Sequence, residues 1–176
     1  MALVVLLRGV NVGGHRTFRP AELARELKHL DAVNIGAAGT FVIRQPISQA
    51  RLSAELVARL PFETEIIICQ GRDIVRVMAH DAFVGQRVRP DVVRFMSVLS
   101  KRSNAAPPLP ISLPPSGPWL MRILARDNRF VVGQYRRHMK VIGYLGAIDK
   151  LFGVPVTTRN WNTVTAINKV LSESGG

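Results

Sequence analysis

Residues Ala2 to Leu7 are apolar at every position, and Arg8 ends the run. A strand with one wet face alternates apolar and polar residues, so an unbroken apolar run reads as a strand covered on both faces. Any fold for this chain must therefore bury its first strand from two sides. The stretch Leu6 to Gly14 reads LLRGVNVGG. The strand thus hands over directly to a loop rich in glycine, which permits tight turns and close chain approach.

Beyond that loop the pattern alternates helices and strands. Pro20 to Leu30 carries leucines at helical spacing (Leu23, Leu27, Leu30), with Pro20 suited to a first turn. Ala32 to Gly36 and Thr40 to Arg44 read as a hairpin across Gly36-Ala37-Ala38-Gly39. Ser48 can cap a helix running to about Leu60, with Leu52, Leu56, Val57 and Leu60 on one side and Pro61 as its stop. Glu65 to Cys69 supplies a fourth strand. Strand, helix, strand, strand, helix, strand is the order of the ferredoxin-like, or split βαβ, unit.

The order then recurs about 90 residues later. Gly71 to His80 reads as a helix, with Ile74, Val77 and Met78 on one face. Val92 to Val98 reads as a strand, and Trp119 to Ala125 with Arg129 to Arg136 as a hairpin across Asp127-Asn128. Met139 to Phe152 is helical, and Val154 to Val156 closes the sheet. The first helix of this second unit is missing: Lys101 to Pro118 holds six prolines and reads as an irregular or polyproline-like connection. The expected fold is α+β: two tandem ferredoxin-like (split βαβ) halves, with mixed, largely antiparallel sheets and a C-terminal helix. The expected divisions are residues 1–70, a linking helix and loop at 71–90, and 91–176.

Charge narrows the functional classes. The chain carries +12 at neutral pH, of which +9 falls between Gly71 and Lys140. Such a field attracts phosphates, nucleic acid or acidic partners. The bland alternative is coding bias, because arginine outnumbers lysine 19 to 5 and the basic residues are scattered. Arg126, Arg129, Arg136, Arg137, His138 and Lys140 flank the second hairpin, where a solvated rim is the ordinary reading. Open-faced RNA recognition would need stacking aromatics on central strands, and the candidate strands offer only Phe41.

Several chemistries lack their residues. The lone cysteine, Cys69, lies in an apolar run, where burial raises a thiol's pKa and no intramolecular disulfide can form. The four histidines have no metal-ligand spacing, and no glutamate occurs between Glu65 and Glu173, so neither a metal nor another cofactor is expected. No serine sits in a nucleophile elbow. No apolar stretch nears the roughly 20 residues that cross a bilayer, and the N-terminal run lacks the features of a secretory signal. A cytoplasmic protein without membrane contact is the expectation; catalytic residues are unassigned and enzyme activity is left open.

Two polar strings carry what site signal there is. The first is Arg8 to Gly14, whose amides could close around an anion, although it fits neither P-loop nor dinucleotide spacing. Its structural alternative is a turn in which Asn11 bonds local backbone. The second is Thr157 to Thr163, TTRNWNT, which could start a helix capped by Thr158 or Asn160. A helix start with Arg159, Asn160 and Asn162 suits a phosphate or carboxylate; its structural alternative is a capped helix anchored by Trp161.

LLRGVNVGG near the start, together with GVPVTTRNWNTV near the end, resembles the two signature segments of the bacterial domain-of-unknown-function family numbered 1697. The resemblance spans nearly the whole chain and implies a soluble α+β protein with no assigned activity. It marks Arg8, Asn11, Gly13, Gly14, Arg159, Asn160, Trp161, Asn162 and Thr163 as characteristic positions. The chain departs from the family in reading Ala38-Gly39-Thr40 where a serine-glycine-asparagine turn is usual, and in its proline-rich segment.

The functional expectation is an anionic or phosphate-bearing ligand, nucleotide or nucleic acid, held between the Arg8–Gly14 loop and the Arg159–Thr163 helix start. Arg8, Asn11, Gly13, Gly14, Arg159, Asn160, Asn162 and Thr163 are the expected binding residues. The alternative is a structural or interaction protein in which the motifs lock the chain ends together and the surface serves self-association, as in a homodimer.

Overall fold

The computed structural model describes residues 2–11, 14 and 17–173. By internal contacts the chain forms two compact units, residues 1–76 with 165–176, and residues 77–164.

The first unit holds β1 (Leu3–Leu7), α1 (Pro20–Glu26) and a 3₁₀ turn (Lys28–Leu30). β2 (Ala32–Ile35), β3 (Thr40–Ile43), α2 (Gln49–Arg59) and β4 (Ile66–Gln70) follow. The sheet order is β2-β3-β1-β4, and every pairing is antiparallel. With β1 and β3 central, this is the split βαβ arrangement. Leu3, Val5 and Leu7 of β1 join Phe41, Ile43, Leu23, Leu27, Leu52 and Leu56 in the core beneath the helices. Val4 and Leu6, on the opposite face, are as fully buried, so β1 is covered on both faces as its composition requires. Ser48 caps α2 by accepting from the Arg51 amide at 3.2 Å. Val57 does not share the buried side of α2: it is 65% exposed, since one residue past Leu56 the helix has turned by about 100°.

α3 (Gly71–Ala79) runs out of the first unit, and its final residues from Val77 belong to the second. The second unit has β5 (Val92–Leu99), β6 (Ile111–Leu113), β7 (Met121–Asp127), β8 (Phe130–Arg136), α4 (Val141–Phe152) and β9 (Val156–Asn160). Its sheet order is β6-β7-β8-β5-β9, again wholly antiparallel. Without β6 the order matches that of the first sheet, so the two sheets repeat one topology. Phe95, Leu99, Ile123, Val131, Ile148 and Phe152 form the core under α4.

Two expectations are corrected here. The proline-rich segment is not wholly irregular: Ile111–Leu113 pairs with β7 as an edge strand between Pro110 and Pro114. Prolines just outside an edge strand cost no ladder hydrogen bond. The closing strand is not Val154–Val156 but Val156–Asn160, so half of the TTRNWNT string is strand. β-Branched Thr157 and Thr158 fit a pleated surface, and the Thr158 hydroxyl lies 2.6 Å from that of Ser97 across the ladder.

The last helix, α5 (Trp161–Glu173), follows β9 directly.

Candidate functional site

In the first unit, Arg8 leaves the end of β1 and lies 3.4 Å from Glu65, with both side chains part-exposed. The Thr64 hydroxyl donates to the Arg8 carbonyl. Arg8 therefore opens on a depression shared with Gly9, Glu63, Thr64 and Glu65, where two carboxylates work against an anion. Asn11 has a positive φ of 54°. Its amide donates to the Ala37 carbonyl at 2.8 Å and its carbonyl accepts from the Phe18 amide at 2.9 Å. It thereby ties the loop to the β2–β3 turn and to the approach to α1. Gly39 of that turn admits no side chain, since a Cβ would sit 2.8 Å from Leu7 Cβ and 2.8 Å from Val10 Cγ2. Gly14 has a positive φ of 78° and open space around it, while Gly13 lies outside the described residues.

Because Asn11 holds both partners from a left-handed backbone, Asn11→Ala is expected to cost roughly 2 kcal/mol. Asn11→Gly, which keeps the backbone conformation, should cost less. Urea unfolding of the two variants checks the order.

In the second unit, Asn160 ends β9 and begins α5. Its side chain accepts from the Thr163 amide at 3.0 Å, so Asn160, not Thr158, is the cap. The amides of Trp161 and Asn162 then lie in the first turn, where no intrahelical acceptor exists. Asn160, Trp161 and Asn162 line a cavity of about 280 Å³. Arg87, Arg89, Arg94 and Arg137 line it too, and no carboxylate does. Arg159 and Thr163 are not among its lining residues. Arg159 is 9% exposed within β9 and donates to the Thr158 carbonyl at 3.0 Å. Burial holds its guanidinium pKa down to about 10.

The arginines of the cavity differ in how they are held. Arg94 lies 4.4 Å above the Phe83 ring and donates to the Gln86 carbonyl at 3.1 Å. Arg89 pairs with Asp91 at 3.1 Å, and Arg137 donates to the Pro90 carbonyl at 3.3 Å. The side chains of Arg87 and Asn162, both exposed residues, make no hydrogen bond or ion pair among the described residues. The remaining wall is flat and apolar, formed by Tyr135, Trp161 and valines that include Val88 and Val93. Burial pushes the Tyr135 phenol up, against the pull of Arg137, so it stays a neutral hydroxyl at neutral pH.

Sequence reasoning singled out Asn160 and Asn162 but missed Arg87, Arg89 and Arg94. These three are scattered along a loop and the start of β5, and only folding gathers them with Arg137. The arginines flanking the second hairpin mostly serve the backbone instead. Arg126 donates to Asn128 and Ser103 carbonyls, each at 2.8 Å; Arg129 donates to Leu99 at 2.9 Å and Arg136 to Trp119 at 2.8 Å. They pin the hairpin and the proline-rich segment. Among the described residues no group of three or more His, Cys, Asp or Glu converges to hold a metal, and no helix is long and apolar enough to cross a membrane.

A family model described as "Protein of unknown function (DUF1697)" matches residues 1–108. Among solved structures, the conserved bacterial protein SP0830 from Streptococcus pneumoniae has a similar fold, with a TM-score of 0.62. It is 16% identical to this chain, and the match covers 97% of this chain and 98% of that one. No curated protein sequence matches.

Proposed function

The chain belongs to the DUF1697 family of proteins of unknown function, and we propose that it binds a phosphate-bearing ligand in the cavity at the start of α5. The observation that carries this reading is the lining: four arginines, two asparagines and a helix start around one cavity, with no carboxylate among them. Guanidinium groups offer paired donors to phosphate oxygens, and first-turn amides add aligned dipoles. Arg87 and Asn162, which have no partner among the described residues, are ready to bind without first giving up an internal contact. The first motif plays a structural part in this reading, because Asn11 is engaged on both sides of its amide. A bacterial cytoplasmic setting, where phosphate esters abound, is the compartment it implies.

The test is thermal unfolding against inorganic phosphate and pyrophosphate. A saturable rise in Tm is expected, reaching the equivalent of about 2.7 kcal/mol at a hundredfold excess over Kd, and shrinking as ionic strength increases. Arg87→Ala combined with Asn162→Ala should abolish most of the rise while leaving the ligand-free Tm unchanged. A wild-type protein that does not respond, or a double variant that responds equally, overturns the reading. Nucleic acid as the ligand would instead show log affinity falling steeply with log salt, with a slope that reports several phosphate contacts.

A further inference from the structure

We infer that the ligand of this cavity is a nucleoside monophosphate, with its phosphate on the arginines and its base on Trp161; this rests on the phosphate reading above. The lining has two characters. Arg87, Arg89 and Arg137 supply charge, whereas Tyr135, Trp161 and Val88 supply flat or apolar surface. A bare phosphate or sugar phosphate has nothing to place on the second part. A molecule with a phosphate at one end and an aromatic ring at the other uses both.

Trp161 is set up to receive such a ring. Phe83 meets it at 4.9 Å between centroids and 84° between planes, and Phe83 is itself held beneath the Arg94 guanidinium at 4.4 Å. The perpendicular contact fixes the plane of the indole. Whichever ring forms the stem of the T, at least one indole face is left uncovered by Phe83. Offset stacking of a base on an aromatic face is favourable for every base, because each has a π surface. Asn160, with its carbonyl committed to the Thr163 amide, keeps its NH₂ as a donor, and Asn162 has both donor and acceptor to give. Amides of this kind read the polar edge of a base.

Size argues against a polymer. About 280 Å³ is at the lower end of ligand pockets, enough for one small molecule. Single-stranded nucleic acid is bound along grooves with successive aromatic platforms, and this cavity has two aromatic residues in one place.

The experiment is calorimetric titration of the intact protein with inorganic phosphate, ribose 5-phosphate, adenosine monophosphate, cytidine monophosphate and a short single-stranded RNA. The monophosphates should bind at least about tenfold tighter than ribose 5-phosphate, the gain that one stacked base provides. Trp161→Leu should erase that preference and leave ribose 5-phosphate affinity near wild type; Trp161→Phe, which keeps a ring, should retain most of it. If ribose 5-phosphate binds as tightly as the monophosphates, the base assignment falls and the phosphate site stands. If the RNA binds tighter than either monophosphate, the ligand is a polymer and the inference is overturned. If no phosphate compound binds, both readings fall together. The comparison among ligands uses wild-type protein, so it decides the matter even where a Trp161 variant fails to fold.

Discussion

Replacing Gly133 with alanine is expected to lower the stability of the second unit by about 3 kcal/mol, the upper range for forcing an atom into a filled interior. Gly133 lies in β8, opposite Phe95 of β5 and Ile123 of β7. A Cβ there would stand 2.3 Å from the Arg122 carbonyl oxygen, and 2.7 and 2.9 Å from two carbons of the Phe95 ring. The first is backbone in a paired strand and cannot swing aside. The second belongs to a fully buried ring packed under α4 and tilted against Tyr135 at 5.8 Å. The ladder between β7 and β8 also shifts register just past this point, between Ile123 and Ala125, as strands do at bulges where backbones close in. Relief would require moving Phe95 and re-registering β7 together. Gly143 of α4 is the control: nothing lies within 4 Å of a Cβ built there, so Gly143→Ala should raise stability by roughly 0.5–1 kcal/mol through helix propensity alone. Thermal and urea unfolding of the two variants compares one chemical change in two surroundings. A Gly133→Ala protein as stable as wild type would show that β7 can yield, and that the sheet is less tightly specified than its geometry indicates.

That glycine shows where sequence reading stops. A strand that is apolar at every residue can be read directly, because burial on both faces leaves no other composition open to it. So Ala2–Leu7 announced a covered strand and the leucines of 23–30 and 52–56 announced helices. The repeated order of elements was legible for the same reason, since each element buries a face with its own period. Polar strands are different. Thr157 to Asn160 pairs with β5, yet its residues resemble a loop or a helix cap, and only the Ser97–Thr158 hydroxyl contact and the ladder make a strand of them. Ile111–Leu113 is hidden by the prolines around it, because the edge position that excuses them is a tertiary fact. The need for glycine at 133 depends on the Phe95 ring, 38 positions away in the chain.

The candidate site divides in the same way. The TTRNWNT string pointed to a helix start, and Asn160 and Asn162 are at one. Its arginine was the most conspicuous charge in the string, but strand alternation turns Arg159 inward while Asn160 and Asn162 line the cavity. The charges that do line it come from Arg87, Arg89, Arg94 and Arg137. No local pattern joins these four: β5 carries Arg94, Arg137 follows the end of β8, which pairs with β5, and the loop before β5 adds the others. A site built from arginines at such uneven spacing has no motif. Its trace in the sequence is only the excess of +9 between Gly71 and Lys140, a regional field without an address.

Arg159 is then a charge the fold carries at a cost, and its replacement by methionine should stabilise the protein. The side chain is 9% exposed, and loss of water around the guanidinium is what brings its pKa down from the ordinary arginine value to about 10. The sign follows from linkage. A basic group whose pKa is lower in the folded state binds its proton more tightly when unfolded, so it subtracts from stability at every pH below the folded pKa. That penalty is constant between pH 6 and 9 and recedes only as pH rises through about 10 toward the unfolded value. Methionine has a similar length, no charge and a flexible stem that fills irregular space. Arg159→Met is therefore expected to gain about 1–2 kcal/mol at pH 7, the usual benefit of exchanging a buried charge for a well-packed apolar side chain, and the gain should be the same at pH 6 and pH 9. Arg159→Ala should lose stability instead, because truncation leaves a cavity that costs more than the charge did. Neither change removes a group that lines the cavity at the start of α5, so phosphate-induced stabilisation should persist in Arg159→Met. A methionine variant less stable than wild type across this pH range would mean that the hydrogen bonds of Arg159, including the one to the Thr158 carbonyl, outweigh its desolvation. Retained stability with lost phosphate response would mean that Arg159 reaches the ligand after all.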